Sequence, residues 1–157
     1  SWDERAIELV LRGFGEERFS RKIAREIIER REVKPFKTTS DLVETVLKVI
    51  PHNARAMRGK HPATKTFQAL RIAVNEELTA LEIGLEKGFG ALKPNGRFSV
   101  ISFHSLEDRI VKNFFRDRVR EKTARQITKK PITPSAEEVE TNPRSRSAKL
   151  RVIEKNE

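Results

Sequence analysis

The sequence predicts an α/β chain in which a mostly helical N-terminal part leads into a buried strand and a strand-to-helix corner of the kind found in open sheets. Three observations carry this. Residues 98–103 are apolar apart from two small serines and run into the polar stretch His104-Ser105-Leu106-Glu107-Asp108, the pattern of a buried strand turning into a helix. Upstream, apolar residues recur at three- and four-residue spacing, punctuated by Gly and Pro. Finally, 36% hydrophobic residues against 36% charged in 157 residues leave room only for a small or divided core. A strand without polar alternation is expected to be covered on both faces and to have parallel neighbours. No second run of that type lies before it.

Each element follows in order. Ile7, Val10 and Leu11 share one stripe of a helix over 3–12, which the Gly13-Phe14-Gly15 turn closes before Glu16 opens the next. Phe19, Ile23, Ile27 and Ile28 give 16–32 an apolar face, and Pro35 stops it. Thr39-Ser40-Asp41 predicts the cap of a third helix carrying Leu42, Val43, Val46, Leu47 and Ile50, ended by Pro51. A basic loop over 52–62 holds Arg55, Arg58, Lys60 and His61, and one long helix follows, with Phe67, Leu70, Val74, Leu78, Leu81 and Leu85 in a single seam. Pro94-Asn95-Gly96 turns the chain into the strand 97–103. Leu106, Ile110, Val111, Phe114 and Phe115 predict a helix over 105–121, and the alternating run 148–153 predicts an outer strand. The expected domains are a helical one over 1–62 and a sheet-bearing one over 63–157.

Charge narrows the function classes. The formal net charge is +10, with 14 Lys and Arg against ten Asp and Glu in 1–62, five against four in 63–104, and 14 against nine in 105–157. The excess at both ends favours an anionic partner, since clustered cations release counterions from phosphates; mixed-sign charge on exposed helices is the plainer alternative. With no cysteine and three histidines lacking ligand spacing, neither a disulfide framework nor a metal site is expected. There is no long apolar run and no basic-then-apolar leader pattern, so a cytoplasmic protein without a membrane segment is expected.

Two groups of site residues stand out. His104 and Ser105 lie at the carboxyl end of the strand, which in open α/β sheets faces the ligand crevice, and are the candidate catalytic pair. Alternatively, Ser105 caps the following helix, with Glu107 and Asp108 in its first turn, while His104 packs. For RNA contact the candidates are Lys60, His61, Lys65, Arg71 and Asn75, the last two one helical turn apart, together with Arg144, Arg146, Lys149 and Arg151. An interdomain hydrogen-bond network is the competing reading of the first cluster. In the second, residues alternating along a strand need not share a face.

Four separated blocks then resemble one family in register. They are Gly15-Glu16-Glu17-Arg18-Phe19 with Ile23-Ala24, the run from His61 to Asn75 (HPATKTFQALRIAVN), Ile101 to Lys112 (ISFHSLEDRIVK), and Asn142 to Arg151 (NPRSRSAKLR). Together they are similar to the ribosomal RNA methyltransferases called MraW or RsmH. The resemblance implies transfer of a methyl group from S-adenosylmethionine to the exocyclic N4 amine of a cytosine in small-subunit (16S) ribosomal RNA. Methylating an amine demands orientation more than a strong base, so the lack of a paired acid and base is no obstacle. The implied fold is a helical substrate-recognition insert plus the C-terminal half of a class I, Rossmann-like methyltransferase sheet. The family's glycine-rich, cofactor-holding half has no counterpart in this sequence, so the chain is expected to be a fragment. It is expected to hold no cofactor-binding residues and to be inactive alone, with a homodimer or a complementing N-terminal half as possible partners. The alternative is a non-catalytic RNA-binding or strand-swapped assembly module.

Overall fold

The computed structural model describes residues 2–56, 59 and 61–157. The chain is mostly helical with one small antiparallel sheet, and it divides into two compact units, Ser1–Glu77 and Leu78–Glu157.

Among the described residues the first unit holds helices α1 (Glu4–Gly15), α2 (Ser20–Val33), α3 (Thr39–Val49), α4 (His52–Ala56) and α5 (Thr64–Asn75). Asp3 caps α1 by accepting from the amide of Ala6 at 2.7 Å, and Glu16, in the left-handed conformation, closes it. Gly13 is therefore inside α1 rather than in a turn, and α2 opens at Ser20 rather than at Glu16. The cap of α3 is Thr38, one residue before the expected start. Its hydroxyl accepts from the amide of Asp41, whose carboxylate accepts in return from the amides of Lys37 and Thr38 at 3.0 and 2.8 Å. Those amide donors, with the Thr38 hydroxyl and Arg30, hold the Asp41 carboxyl down at about 2. The cap's charged form is thus fully present above the ordinary carboxylate range and is lost only as pH falls through about 2. The stretch expected to be a loop after Pro51 forms the short helix α4.

Ile7, Leu11, Ile23, Ala24, Ile27, Val46, Ile50, Ala63 and Ala69 form the core of this unit. Helix α1 packs tightly on α5 at Gly15, where an added Cβ would lie 2.7 Å from the carbonyl oxygen of Lys65 and 3.2 Å from Cβ of Ala69. Only a residue without a side chain fits there. The expected single long helix is two helices, because Glu76 adopts the left-handed conformation after α5 and Glu77 starts α6 (Glu77–Gly90). The apolar periodicity crosses this break: Val74, expected in the seam, is 71% exposed.

In the second unit α6 is followed by β1 (Arg97–Ser102), α7 (Ser105–Arg120), β2 (Ala124–Gln126), α8 (Ala136–Thr141), a 3₁₀ turn (Pro143–Ser147) and β3 (Lys149–Lys155). The strand order is β1-β3-β2 with both pairings antiparallel, and Phe98 faces Ile153 while Ser102 faces Lys149. Two strand expectations are corrected. The C-terminal strand is the middle of the sheet rather than an outer strand, because it pairs on both sides. Strand β1 is an edge of an antiparallel sheet rather than an interior parallel ribbon, and its burial alternates. The alternation escapes the sequence because Ile101, on the open face, is itself apolar; it is 58% exposed, and Phe103, just past the strand, is 54% exposed.

The covered face carries Phe98 and Val100 onto a core of Leu85, Phe89, Val111, Phe115, Ala124 and Ile153. Phe89 meets Phe114 edge-on at 6.0 Å and Phe98 at 6.4 Å, and Gly88 leaves just enough room for the Phe98 ring, which lies 3.0 Å from where a Cβ would sit. The Lys155 ammonium donates to the carbonyls of Leu92, Gly90 and Phe89 at 2.8, 3.3 and 3.5 Å, placing a cation on the negative end of α6. Asn95, at φ 63°, and Gly96 make the turn that feeds β1.

Gly15→Ala is expected to destabilise the first unit by about 1–3 kcal/mol through overpacking. Gly13→Ala, in the same helix with open space around its Cα, is expected to be neutral or to stabilise by up to about 1 kcal/mol. Thermal or urea unfolding of the two variants checks the contrast, and equal effects would contradict the close contact between α1 and α5.

Candidate functional site

Strand β1 delivers its last residue, the buried Ser102, to a two-residue corner formed by Phe103 and His104. His104, not Ser105, caps α7. Its Nδ1 accepts from the amide of Glu107 at 3.3 Å, and the Glu107 carboxylate accepts from the amides of Phe103 and His104 at 2.8 and 3.2 Å. The imidazole thus takes the place of the expected serine in a capping box. With Nδ1 accepting, the proton of the neutral ring sits on Nε2. That nitrogen is shielded from solvent and lies 3.3 Å from Oε1 of Glu107 without an aligned hydrogen bond. Ser105 is the first residue of α7; it is exposed, and its hydroxyl has no hydrogen-bond partner among the described residues. At this corner the lone pair of the imidazole is already engaged, and the hydroxyl is free.

One turn into α7, Asp108 is 8% exposed and holds α7 onto β3. Its carboxylate accepts from Nε and Nη2 of Arg151 at 2.7 and 3.2 Å and from Nζ of Lys149 at 3.1 Å. The Arg151 hydrogen bonds, opposed by burial and reinforced by Lys149, hold the Asp108 carboxyl below the usual range. On the opposite face of the sheet, Glu154 is buried between Arg97 and Arg125, at 3.3 and 2.6 Å, and is lowered chiefly by Arg125.

The basic stretch before β3 is therefore divided in two. Arg151 is buried and Lys149 half-buried, and both are spent on Asp108. Arg144 and Arg146 project from the 3₁₀ turn, both exposed and in no ion pair or hydrogen bond among the described residues. Between them Ser145 points inward and donates its hydroxyl to the carbonyl of Asn142 at 2.8 Å, which fixes the turn.

In the first unit the expected cluster is dispersed. His61 Nδ1 accepts from the amide of Ala63 at 3.2 Å, and Lys65 Nζ donates to the carbonyl of Glu16 at 3.0 Å. Arg71 grips Glu77 with Nε and Nη2 at 2.8 and 3.0 Å, and Asn75 joins the same carboxylate at 3.2 Å. Lys60 lies outside the described residues. The sequence does not predict the Asp108 contacts, although it shows both an acid in the first turn of α7 and a basic strand at the end of the chain.

The second unit thus joins a three-stranded antiparallel sheet, a capped strand-to-helix corner and two guanidinium groups that are unpaired among the described residues. The sequence model of the MraW methylase family matches residues 1–156, and the chain belongs to that family. It is similar to proteins named ribosomal RNA small subunit methyltransferase H. With that of Paenibacillus sp. (strain JDR-2) it shares 49% identity over 170 residues, covering 99% of this chain and 54% of the relative. With that of Persephonella marina it shares 52% over 150 residues, covering 95% and 50%. With that of Caldicellulosiruptor saccharolyticus it shares 48% over 169 residues, covering 98% and 54%. The chain spans about half the length of the curated relatives it matches. Among the described residues, no helix is long and apolar enough to cross a membrane, and no group of three or more potential metal-ligating residues exists.

Asp108→Ala is expected to cost about 3–5 kcal/mol, because it strands the buried guanidinium of Arg151. In the unaltered chain the contribution of Asp108 is present above the ordinary carboxylate range and is lost as pH falls through its lowered value. Urea unfolding at neutral and acid pH tests both statements: a variant as stable as the parent, or one with an unchanged acid limb, contradicts them.

Proposed function

We propose that this chain is the RNA-facing, C-terminal part of an S-adenosylmethionine-dependent methyltransferase acting on the exocyclic N4 amine of a cytosine in small-subunit (16S) ribosomal RNA. The observation that carries this reading is the family match over nearly the whole chain, with relatives whose names specify the ribosomal RNA of the small subunit.

The cofactor of such an enzyme does not fit the strand-to-helix corner of this chain. No glycine occurs between Gly96 and the end of α7 to let a backbone approach a ligand, and the carboxylate of Glu107, the acid nearest the strand end, is filled by two amides. We accordingly assign cofactor binding to no residue of this chain, which is expected to be inactive alone. Strand β1, paired on one side only among the described residues, suits the edge at which the rest of a class I methyltransferase sheet would be added. The same edge supports a second reading, a strand-paired assembly module that binds RNA without catalysis.

In either reading Arg144 and Arg146 meet phosphate, and a basic turn held rigid by Ser145 reduces the entropy lost on binding. His104 is assigned the placing of the corner through its cap and Ser105 the approach to the target base. For the candidates His61, Lys65, Arg71 and Asn75, support for RNA contact is weaker, since each already has an intramolecular partner.

Fluorescence anisotropy with unmodified small-subunit ribosomal RNA fragments, titrated over a range of salt, tests the RNA assignment. Binding is expected to weaken steeply with salt, and replacing Arg144 and Arg146 together by Ala is expected to lower the slope of log K against log salt by about 1.5. An unchanged slope removes both residues from the interface. Salt-independent binding, or none, refutes the RNA reading itself.

A further inference from the structure

The helical unit contains an apolar pocket of about 470 Å³ bounded by α1, α2, α3 and α5, within the range of about 300–1,000 Å³ usual for small-molecule sites. We propose that it receives one unstacked nucleobase of an RNA strand, an inference that rests on the RNA-binding reading above and adds a site to it.

Three features set its chemistry. The first is the wall. Trp2, Phe36 and Phe67 all line it, in a chain with one Trp, no Tyr and nine Phe. Trp2 is 39% exposed and so reachable from solvent, and its carbonyl accepts from Nη1 of Arg31 at 2.7 Å, which seats it against α2. Every base has a π-face, and stacking on such side chains is indifferent to sequence. The second is the charge at the mouth. Arg31 and Lys37 line the pocket, and neither is in an ion pair among the described residues. An apolar peptide side chain would leave these cations without an anionic partner, whereas a nucleotide brings a phosphate beside its base. The third is the edge. Thr38 is committed to the cap of α3, but the exposed hydroxyl of its neighbour Thr39 has no hydrogen-bond partner among the described residues and is available to the polar edge of a base.

The unique tryptophan makes the test direct. The 157-residue chain is titrated with a short labelled single-stranded oligoribonucleotide while Trp2 emission and label anisotropy are followed together, and again with an abasic strand of the same length. Saturable quenching of Trp2 that tracks the anisotropy, and that disappears with the abasic strand, is expected. Phe36→Ala is expected to weaken binding by about five- to a hundred-fold, the range for losing one stacked base. Lys37→Glu, which keeps the backbone amide that serves Asp41 and alters an exposed side chain with no partner among the described residues, is expected to weaken binding and to reduce the salt slope by about one. Anisotropy that rises while Trp2 stays silent, quenching by the abasic strand equal to that by the intact one, or full affinity in Lys37→Glu overturns the pocket and leaves the RNA reading standing. No rise in anisotropy with any strand refutes that reading as well.

Discussion

The second unit depends on one buried carboxylate. Asp108 sits in the first turn of α7 and is gripped by two cations of β3, the central strand, so a single side chain fixes the start of the helix against the middle of the sheet. An ion pair removed from water gains little over an apolar contact of the same shape, but losing one partner is costly because the other charge stays buried. The arrangement therefore contributes more to geometry than to net stability. It sets the register between α7 and β3, and through the β1 and β3 pairing it sets where the strand ends and where His104 must cap. Phe98, Phe115 and Ile153 then fill the space that this register defines.

The same clamp separates the cations by role. A run of four basic residues within eight positions looks uniform as a sequence, yet two are internal counterions and two are surface groups. What divides them is the change from the 3₁₀ turn to the strand at Lys149. Within the strand, Lys149 and Arg151 fall on the face covered by α7, as does every second residue. Within the turn, Arg144 and Arg146 flank an inward serine and face solvent. Formal charge alone therefore overstates the unpaired cationic surface, since Lys149 and Arg151 are engaged by Asp108 while Arg144 and Arg146 are not.

Much of this was legible in the residues. The span of α7, the turn at Asn95 and Gly96, the apolar faces of the N-terminal helices and the family blocks all express local rules of spacing and punctuation. The features that were not legible depend on partners distant in the chain. Residues 98–103 read as an interior strand because Ile101 and Phe103 are apolar, and only the pairing with β3 reveals which face is open. The break at Glu76 left no glycine or proline to mark it, and two apolar seams happened to run in phase across it. Serine is the commoner capping residue, so the sequence points to Ser105 as the alternative cap, whereas the His104 imidazole nitrogen accepts from the Glu107 amide.

Strand β1 is paired on one side only among the described residues. Amide hydrogen exchange measured residue by residue over 97–102 in the isolated chain tests it most directly. An antiparallel edge strand paired on one side predicts alternation, with the amides directed at β3 protected and the intervening ones exchanging nearly as fast as in an unstructured chain. Protection at every position along the strand would mean that both of its sides are paired, and would contradict the account.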